Sequence, residues 1–127
     1  MNETWENMST QTVAVLHEIS TALTALAETG ATHTLFIDKM GLAPEDRQNI
    51  RGILGEGGLR IRLEGSDEPA EWLESGTAGV WYGVFFNQNG QPILETLEVA
   101  MFPALAATQR ADLLQGAERL RRRLTVG

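Results

Sequence analysis

The 127-residue chain contains no cysteine. That absence excludes disulfides, thiolate zinc sites, a cysteine nucleophile and any iron–sulfur cluster held by the chain's own thiolates. Histidine is scarce as well: His17 and His33 are the only two. A lone helical histidine beside an apolar stripe is ordinarily packed or solvated rather than metal-bound. Asp38, Asp46 and Glu56 do not reproduce the spacing of a calcium loop. Neither a metal nor an organic cofactor is therefore expected. Long apolar runs are missing too, so no segment reads as a membrane span. The opening residues MNETWENMST are polar and acidic, unlike a secretory signal. These features lead to the expectation of one soluble, cytoplasmic domain over residues 1–127, with 1–8 as a flexible tail and no membrane partner.

Charge of one sign is locally absent. The net charge is −7, and between Arg62 and Arg110 there is no lysine or arginine. Glu64, Asp67, Glu68, Glu71, Glu74, Glu95 and Glu98 all fall in that interval, as seven uncompensated carboxylates. Such a face serves solubility, or it attracts a basic partner segment. It repels phosphate, so no nucleic acid partner is expected.

What is present reads as helices flanking strands. Ser9 or Thr10 caps a helix that Gly30 closes. Val13, Leu16, Ile19, Leu23 and Leu26 recur at helical spacing as its apolar stripe. Residues 32–38, THTLFID, form a short extended segment. Pro44 opens a second helix, with Glu45 and Asp46 complementing its positive end. Ile50, Ile53 and Leu54 face inward, and Gly55 ends it. Leu59, Ile61 and Leu63 alternate with charged residues as a half-buried strand. A second strand follows at 70–75.

Val80–Asn87 and Pro92–Ala100 then make a hairpin around Asn89-Gly90, the strongest turn signal in the chain. A two-residue loop would set Val80 opposite Val99, Tyr82 opposite Leu97, Val84 opposite Glu95 and Phe86 opposite Ile93. Glu95 then lands on the apolar face, either at its rim or because the register slips. A last helix, 108–124, carries Leu113, Leu114, Ala117, Leu120 and Leu124 as its stripe and is expected, like the first, to pack on the sheet. The fold class is α+β: a mainly antiparallel sheet of four to five strands with flanking N- and C-terminal helices.

Catalytic constellations are hard to find. Glu71/Glu74 and Glu95/Glu98 are three apart in strands, so each pair points to opposite faces and makes no dyad. No nucleophile–base pair or phosphate loop stands out, and an enzyme is not expected. The Arg119–Arg123 run complements a helix end, or meets an acidic protein surface such as this chain's own strands.

Several pieces, taken in order, resemble the conserved domain of the HupH/HyaF family of hydrogenase expression proteins. They are Leu35-Phe36-Ile37-Asp38, Pro44-Glu45-Asp46-Arg47, Leu54-Gly55-Glu56-Gly57, the strand around Ile61, Glu74-Ser75, Gly79-Val80-Trp81, the Asn-Gly hairpin, and Leu97-Glu98-Val99 leading to Pro103. The family favours a glutamate where this chain has Gly58. Longer members carry additional sequence, which makes this chain look like a single-domain form.

The resemblance implies a non-enzymatic accessory protein or chaperone in nickel–iron hydrogenase maturation. It implies as partner the small, iron–sulfur-bearing subunit precursor or another maturation protein, and it leaves a homodimer open. The family has no established catalytic residues to carry over. The alternative is a small α+β regulatory or ligand-binding domain unrelated to hydrogenase.

In the hairpin register above, Trp81, Phe85 and Leu94 share the non-core face, with Trp72 alongside. Either a helix covers that face, or it is an exposed aromatic patch ringed by Glu74 and Glu98. In the second case Trp72, Glu74, Trp81, Phe85, Leu94 and Glu98 form a partner-binding surface. Aromatic centres with a carboxylate rim suit a peptide carrying arginines. Within the family context, a twin-arginine signal segment is one such ligand.

Overall fold

Ser9 fixes the start of helix α1 (Thr10–Thr29): its hydroxyl accepts the Thr12 N–H at 3.0 Å, and Gly30 closes the other end. A computed structural model describes residues 8–126. Most of the expected 1–8 tail therefore lies outside the described residues; Met8 is half-buried. The buried face of α1 is Thr12, Val15, Ile19, Ala22 and Leu26. The expected stripe was rotated by part of a turn. Ile19 and Leu26 hold, Leu16 and Leu23 flank the core, and Val15 and Ala22 take the centre that Val13 was expected to share.

Strand β1 (His33–Phe36) leads through a 3₁₀ turn (Ile37–Lys39) to helix α2 (Pro44–Leu54). Ile50 and Leu54 are buried there, whereas Ile53 points outward, contrary to expectation. Asp46 does more than complement the helix end. Its Oδ1 accepts the Ser9 hydroxyl at 2.5 Å and the Thr12 hydroxyl at 2.8 Å, and its Oδ2 accepts the Ala43 N–H at 3.0 Å. One carboxylate thus ties together the N-termini of both helices, where the helix dipoles favour negative charge.

Strands β2 (Arg60–Leu63), β3 (Ala70–Glu74), β4 (Val80–Phe86) and β5 (Pro92–Val99) complete a five-stranded sheet in the order β1-β5-β4-β3-β2. Every neighbouring pair is antiparallel. The pairs Val80/Val99, Tyr82/Leu97 and Val84/Glu95 stand as expected. Phe86 instead pairs with Pro92, because Ile93 bulges out of the ladder. The loop is one residue longer than expected: the Gly90 N–H bonds Asn87 O at 3.0 Å and Gly90 sits at φ 81. That is a three-residue turn with glycine in the left-handed position. Asn87 Oδ1 secures it by accepting the Asn89 and Gln91 N–H groups, both at 2.9 Å.

Helices α1 and α2 cover one face of the sheet. Between them lie Leu35, Val80, Tyr82, Leu97 and Val99. Glu95 sits at the rim of this core, where Arg47 reaches it at 3.3 Å, so no register slip is needed to explain it. The Leu54–Gly57 and Glu74–Ser75 motifs meet in space. Gly57 N–H bonds Glu74 O at 2.8 Å, and a Cβ on Gly57 would come within 2.8 Å of Ser75 O. Those motifs are therefore a backbone junction.

Helix α3 (Arg110–Val126) departs from expectation. Every one of its described side chains is exposed, its leucine stripe included, so the helix flanks the sheet in sequence without packing on it.

Candidate functional site

The second face of the sheet is built from residues that stand opposite one another in register: Ala70, Trp72 and Glu74 on β3 beside Phe85, Gly83 and Trp81 on β4, then Leu94, Thr96 and Glu98 on β5. Cross-strand neighbours share a face, so β1 adds Thr34 and Phe36. The two tryptophans are not surface anchors: Trp72 is 0 % exposed and Trp81 1 %. Among the described residues no α-helix covers them, whereas one expectation placed a helix there. The chain leaving β5 folds back over this face instead. Phe102 meets Trp81 edge-on at 6.0 Å, Pro103 is fully buried, and Ala106 packs on the cluster.

Both indoles are satisfied. Trp81 Nε1–H donates to Ala100 O at 3.0 Å, and Trp72 Nε1–H donates to Glu98 Oε2 at 2.7 Å. The second bond runs from β3 to β5 across β4, and Gly83 makes the crossing feasible. A Cβ there would collide with Thr96 Oγ1 and lie 3.2 Å from the Trp72 ring. Trp72 in turn stacks edge-to-face on Phe85, with centroids 5.7 Å apart.

Only half of the face is closed. Beyond Phe85 an open groove of about 430 Å³ runs over β4, β5 and β1, bounded on one side by the 3₁₀ turn Ala104–Ala106. Phe36, Phe85, Ile93, Leu94 and Leu105 line it, with Glu68 and Glu98 as its carboxylates. Phe36, Ile93 and Leu105 are 44 %, 59 % and 64 % exposed, a concentration of large apolar side chains in contact with water.

Of the six residues singled out from the sequence, Phe85, Leu94 and Glu98 come together in this groove. Trp72 and Trp81 lie beneath the neighbouring closed part. Glu74 is half-buried beside Trp81 and accepts the Gly79 N–H at 3.4 Å, away from the groove. Sequence reasoning missed Phe36, Ile93 and Leu105. Alternation in THTLFID separates buried Leu35 from Phe36, and pairing that segment with β5 would have found it.

The acidic interval is partly compensated, a correction to its reading as seven free carboxylates. Arginines outside the interval reach three of them. Arg60 lies 2.5 Å from Glu71, Arg62 lies 3.4 Å from Glu64, and Arg47 lies 3.3 Å from Glu95. Glu98 and Glu74 accept neutral N–H groups, and Asp67 and Glu68 have no ion pair among the described residues. The groove therefore keeps Glu68 and Glu98 without an arginine partner, with the Lys39 ammonium over the Phe36 ring at its edge, while Glu71 and Glu95 are paired.

A smaller hollow of about 90 Å³ lies under α2, lined by Arg47, Arg51, Tyr82 and Glu95. It is far below the roughly 300–1,000 Å³ of a cofactor site. Its cations are already used: Arg47 pairs with Asp38 and Glu95, and Arg51 pairs with Glu56 and stacks on Tyr82 at 4.1 Å. Burial pushes the Tyr82 hydroxyl above its ordinary pKa, opposed by the Arg51 charge, and the hydroxyl donates to Gly55 O at 2.6 Å. This hollow is structural. Among the described residues no three histidine, aspartate or glutamate side chains converge as metal ligands, and no helix is long and apolar enough to cross a membrane.

Comparison with known proteins gives a consistent result. Residues 10–126 match the family model described as HupH hydrogenase expression protein, C-terminal conserved region. The chain is 33 % identical over 89 residues to hydrogenase expression/formation protein HoxQ of Azotobacter vinelandii, covering 70 % of this chain and 31 % of that protein. It is 27 % identical over 107 residues to HupH of Rhizobium leguminosarum bv. viciae, covering 84 % and 38 %. It thus spans about a third of the length of these curated relatives. The solved structure of hydrogenase expression protein HupH from Thiobacillus denitrificans superimposes with a TM-score of 0.82 at 28 % identity, covering 94 % of this chain and 98 % of that one.

Proposed function

The chain belongs to the HupH hydrogenase expression protein family, and we propose that it is a non-enzymatic accessory factor in nickel–iron hydrogenase maturation, working by holding a partner segment in the groove on the second face of its sheet. The partner is an arginine-bearing segment of the small-subunit precursor. Family membership removes the reading of a domain unrelated to hydrogenase.

One observation carries the docking reading. Large apolar side chains stay exposed on a sheet face that the chain half-closes elsewhere, beside carboxylates that face no arginine of their own. Apolar contacts with Phe36, Phe85, Ile93 and Leu94 would supply affinity, and Glu68 and Glu98 would select for cations. The groove is lined by aromatic and aliphatic carbon, two threonine hydroxyls and carboxylates, with no histidine or arginine among the lining residues, and the Lys39 ammonium beside it lies over the Phe36 ring at 5.4 Å. That inventory fits binding rather than covalent chemistry.

The test is complementation of a strain deleted for the gene. Wild type and Ile93→Glu, whose side chain is already exposed, are compared for hydrogenase activity and for capture of the purified small-subunit precursor. Ile93→Glu is expected to fold normally, to lose most precursor binding and to lower hydrogenase activity. Full precursor binding by Ile93→Glu would remove the groove from the reading. Full hydrogenase activity in the uncomplemented deletion strain would remove the role in maturation.

A further inference from the structure

We infer that helix α3 of one copy lies across the groove of a second copy, and that the reciprocal exchange closes a twofold dimer. The helix needs a partner. Leu113, Leu114, Leu120 and Leu124 are between 59 % and 74 % exposed, and Ala117 lies on the same side. A solitary helix of 17 residues is marginal in water, and Gly116 weakens this one further. The helix is no appendage, because the family match runs through residue 126.

Charge selects the partner. Helix α3 carries Arg110, Arg119, Arg121, Arg122 and Arg123 against Asp112 and Glu118 alone. Parallel pairing of two such helices along their leucines would bring the two basic clusters together, and antiparallel pairing would offer each cluster only Asp112, beside Arg110. The groove offers the complement: apolar side chains for the leucine stripe, with Glu68 and Glu98 for the arginines.

Its own groove is a poor alternative. The bend before α3 is held by the Gln109 side chain, whose Nε2 donates to Ala107 O at 3.0 Å and to Ala104 O at 3.3 Å. With the bend so fixed, α3 leaves the groove rim with every described side chain in solvent. At about 1.5 Å per residue the helix is roughly 25 Å long. That is ample to cross three strands about 4.8 Å apart. Exchange of one element between two copies is a closed, self-limiting arrangement.

An arginine-rich apolar helix and an arginine-bearing client segment have the same chemistry, so they exclude one another from the groove. That competition rests on the function proposed above; the dimer does not. The dimer is then the resting form, and the dissociated chain receives the client.

The experiment uses the chain's lack of cysteine. Differently tagged Ile93→Cys and Leu120→Cys variants are mixed and treated with a short bis-maleimide, and the mass in solution is measured by light scattering. The expected results are a dimer and a cross-link between the two variants in the mixture. Leu113→Glu with Leu120→Glu, both exposed in the chain, should raise the dimer dissociation constant about a hundredfold or more without changing the circular dichroism. Added salt should weaken the dimer.

A monomer at all concentrations overturns the inference. So does cross-linking of Leu120→Cys to itself, which would mean helix–helix pairing. An intrachain link in a monomeric chain carrying both cysteines overturns it too, as docking on its own sheet. Precursor binding that is equally tight for the Leu113/Leu120 variant and the wild type overturns the competition and leaves the dimer standing. A Leu113/Leu120 variant that is monomeric and still does not bind the precursor is a failure of the docking reading instead.

Discussion

Helices α1 and α3 look alike as sequence and end in opposite situations. Both carry aliphatic residues at spacings of three and four. Yet α1 buries Val15, Ile19, Ala22 and Leu26, while α3 leaves Leu113, Leu114, Leu120 and Leu124 in water. The difference lies in what anchors them. The N-terminus of α1 is bonded through Ser9 and Thr12 to Asp46 of α2, and its face meets β5 across the core. Among the described residues the start of α3 is bonded only to its own preceding turn. Periodicity says that a face is apolar; long-range polar ties and chain direction decide what covers it.

The largest expected effects break the packed side of this comparison. Trp81→Ala should cost about 3–5 kcal/mol, because it empties a fully buried site and orphans the Ala100 carbonyl. Ile19→Ala should cost about 2–5 kcal/mol for the same kind of reason. Arg122→Ala on α3 should stay within about 0.5 kcal/mol. Denaturant midpoints of the three variants check the ordering; a Trp81→Ala midpoint equal to that of Arg122→Ala would mean the indole is not buried in solution.

These buried sites also show where the sequence was legible. The strands, their antiparallel order through the hairpin, the cap at Ser9 and the stop at Gly30 all follow from local signals. The Asn89-Gly90 pair marked the turn, but glycine in the left-handed position suits a two-residue and a three-residue loop alike. The Asn87 side chain decides between them, and it moves Ile93 to the surface. The tryptophans were placed on the correct face. Their burial was hidden, because the cover is the aperiodic segment around Pro103, and no spacing rule pairs it with Trp72. Phe85, Leu94 and Glu98 of the candidate groove are legible as one face of the hairpin. Phe36 depends on the neighbour of β1, which only the sheet order supplies, Ile93 on the bulge, and Leu105 on the segment that follows β5.

Gly83→Ala sharpens the second-face side of the comparison. A methyl group there must displace Thr96 or the Trp72 ring, at about 1–3 kcal/mol for overpacking. Loss of the Trp72–Glu98 bond should change tryptophan fluorescence alongside stability. An unchanged spectrum and midpoint would mean that the indole does not cross β4.

The anchor of α1 is open to titration. Hydrogen bonds from Ser9, then Thr12, then the Ala43 N–H hold the Asp46 carboxyl below its ordinary value, against a smaller opposing effect of burial. A carboxyl with a depressed folded pKa stabilises above its unfolded value, near 3.9, and that stabilisation is lost as pH falls through the folded value. Asp46→Asn should therefore melt below wild type at neutral pH, with the gap narrowing only as pH drops beneath about 4. A gap that stays constant from neutral to strongly acidic pH would mean that the charge contributes nothing and that the geometry alone ties the helices.

The smallest effect is expected at Leu120→Ala, and it separates the two helices most sharply. Leu120 is 59 % exposed, so its truncation opens no cavity in the folded chain. In dilute protein the denaturant midpoint should move by no more than about 0.5 kcal/mol, in contrast to Ile19→Ala. At high concentration an exchanged dimer adds its binding free energy to folding, which makes the melting temperature rise with concentration. Leu120→Ala should flatten that rise while leaving the dilute value in place. If truncation lowers stability equally at both concentrations, α3 is packed on its own chain in solution, and the contrast between the two helices disappears. If wild type shows no concentration dependence and Leu120→Ala changes nothing, the contrast survives but the stripe has no second copy for a partner.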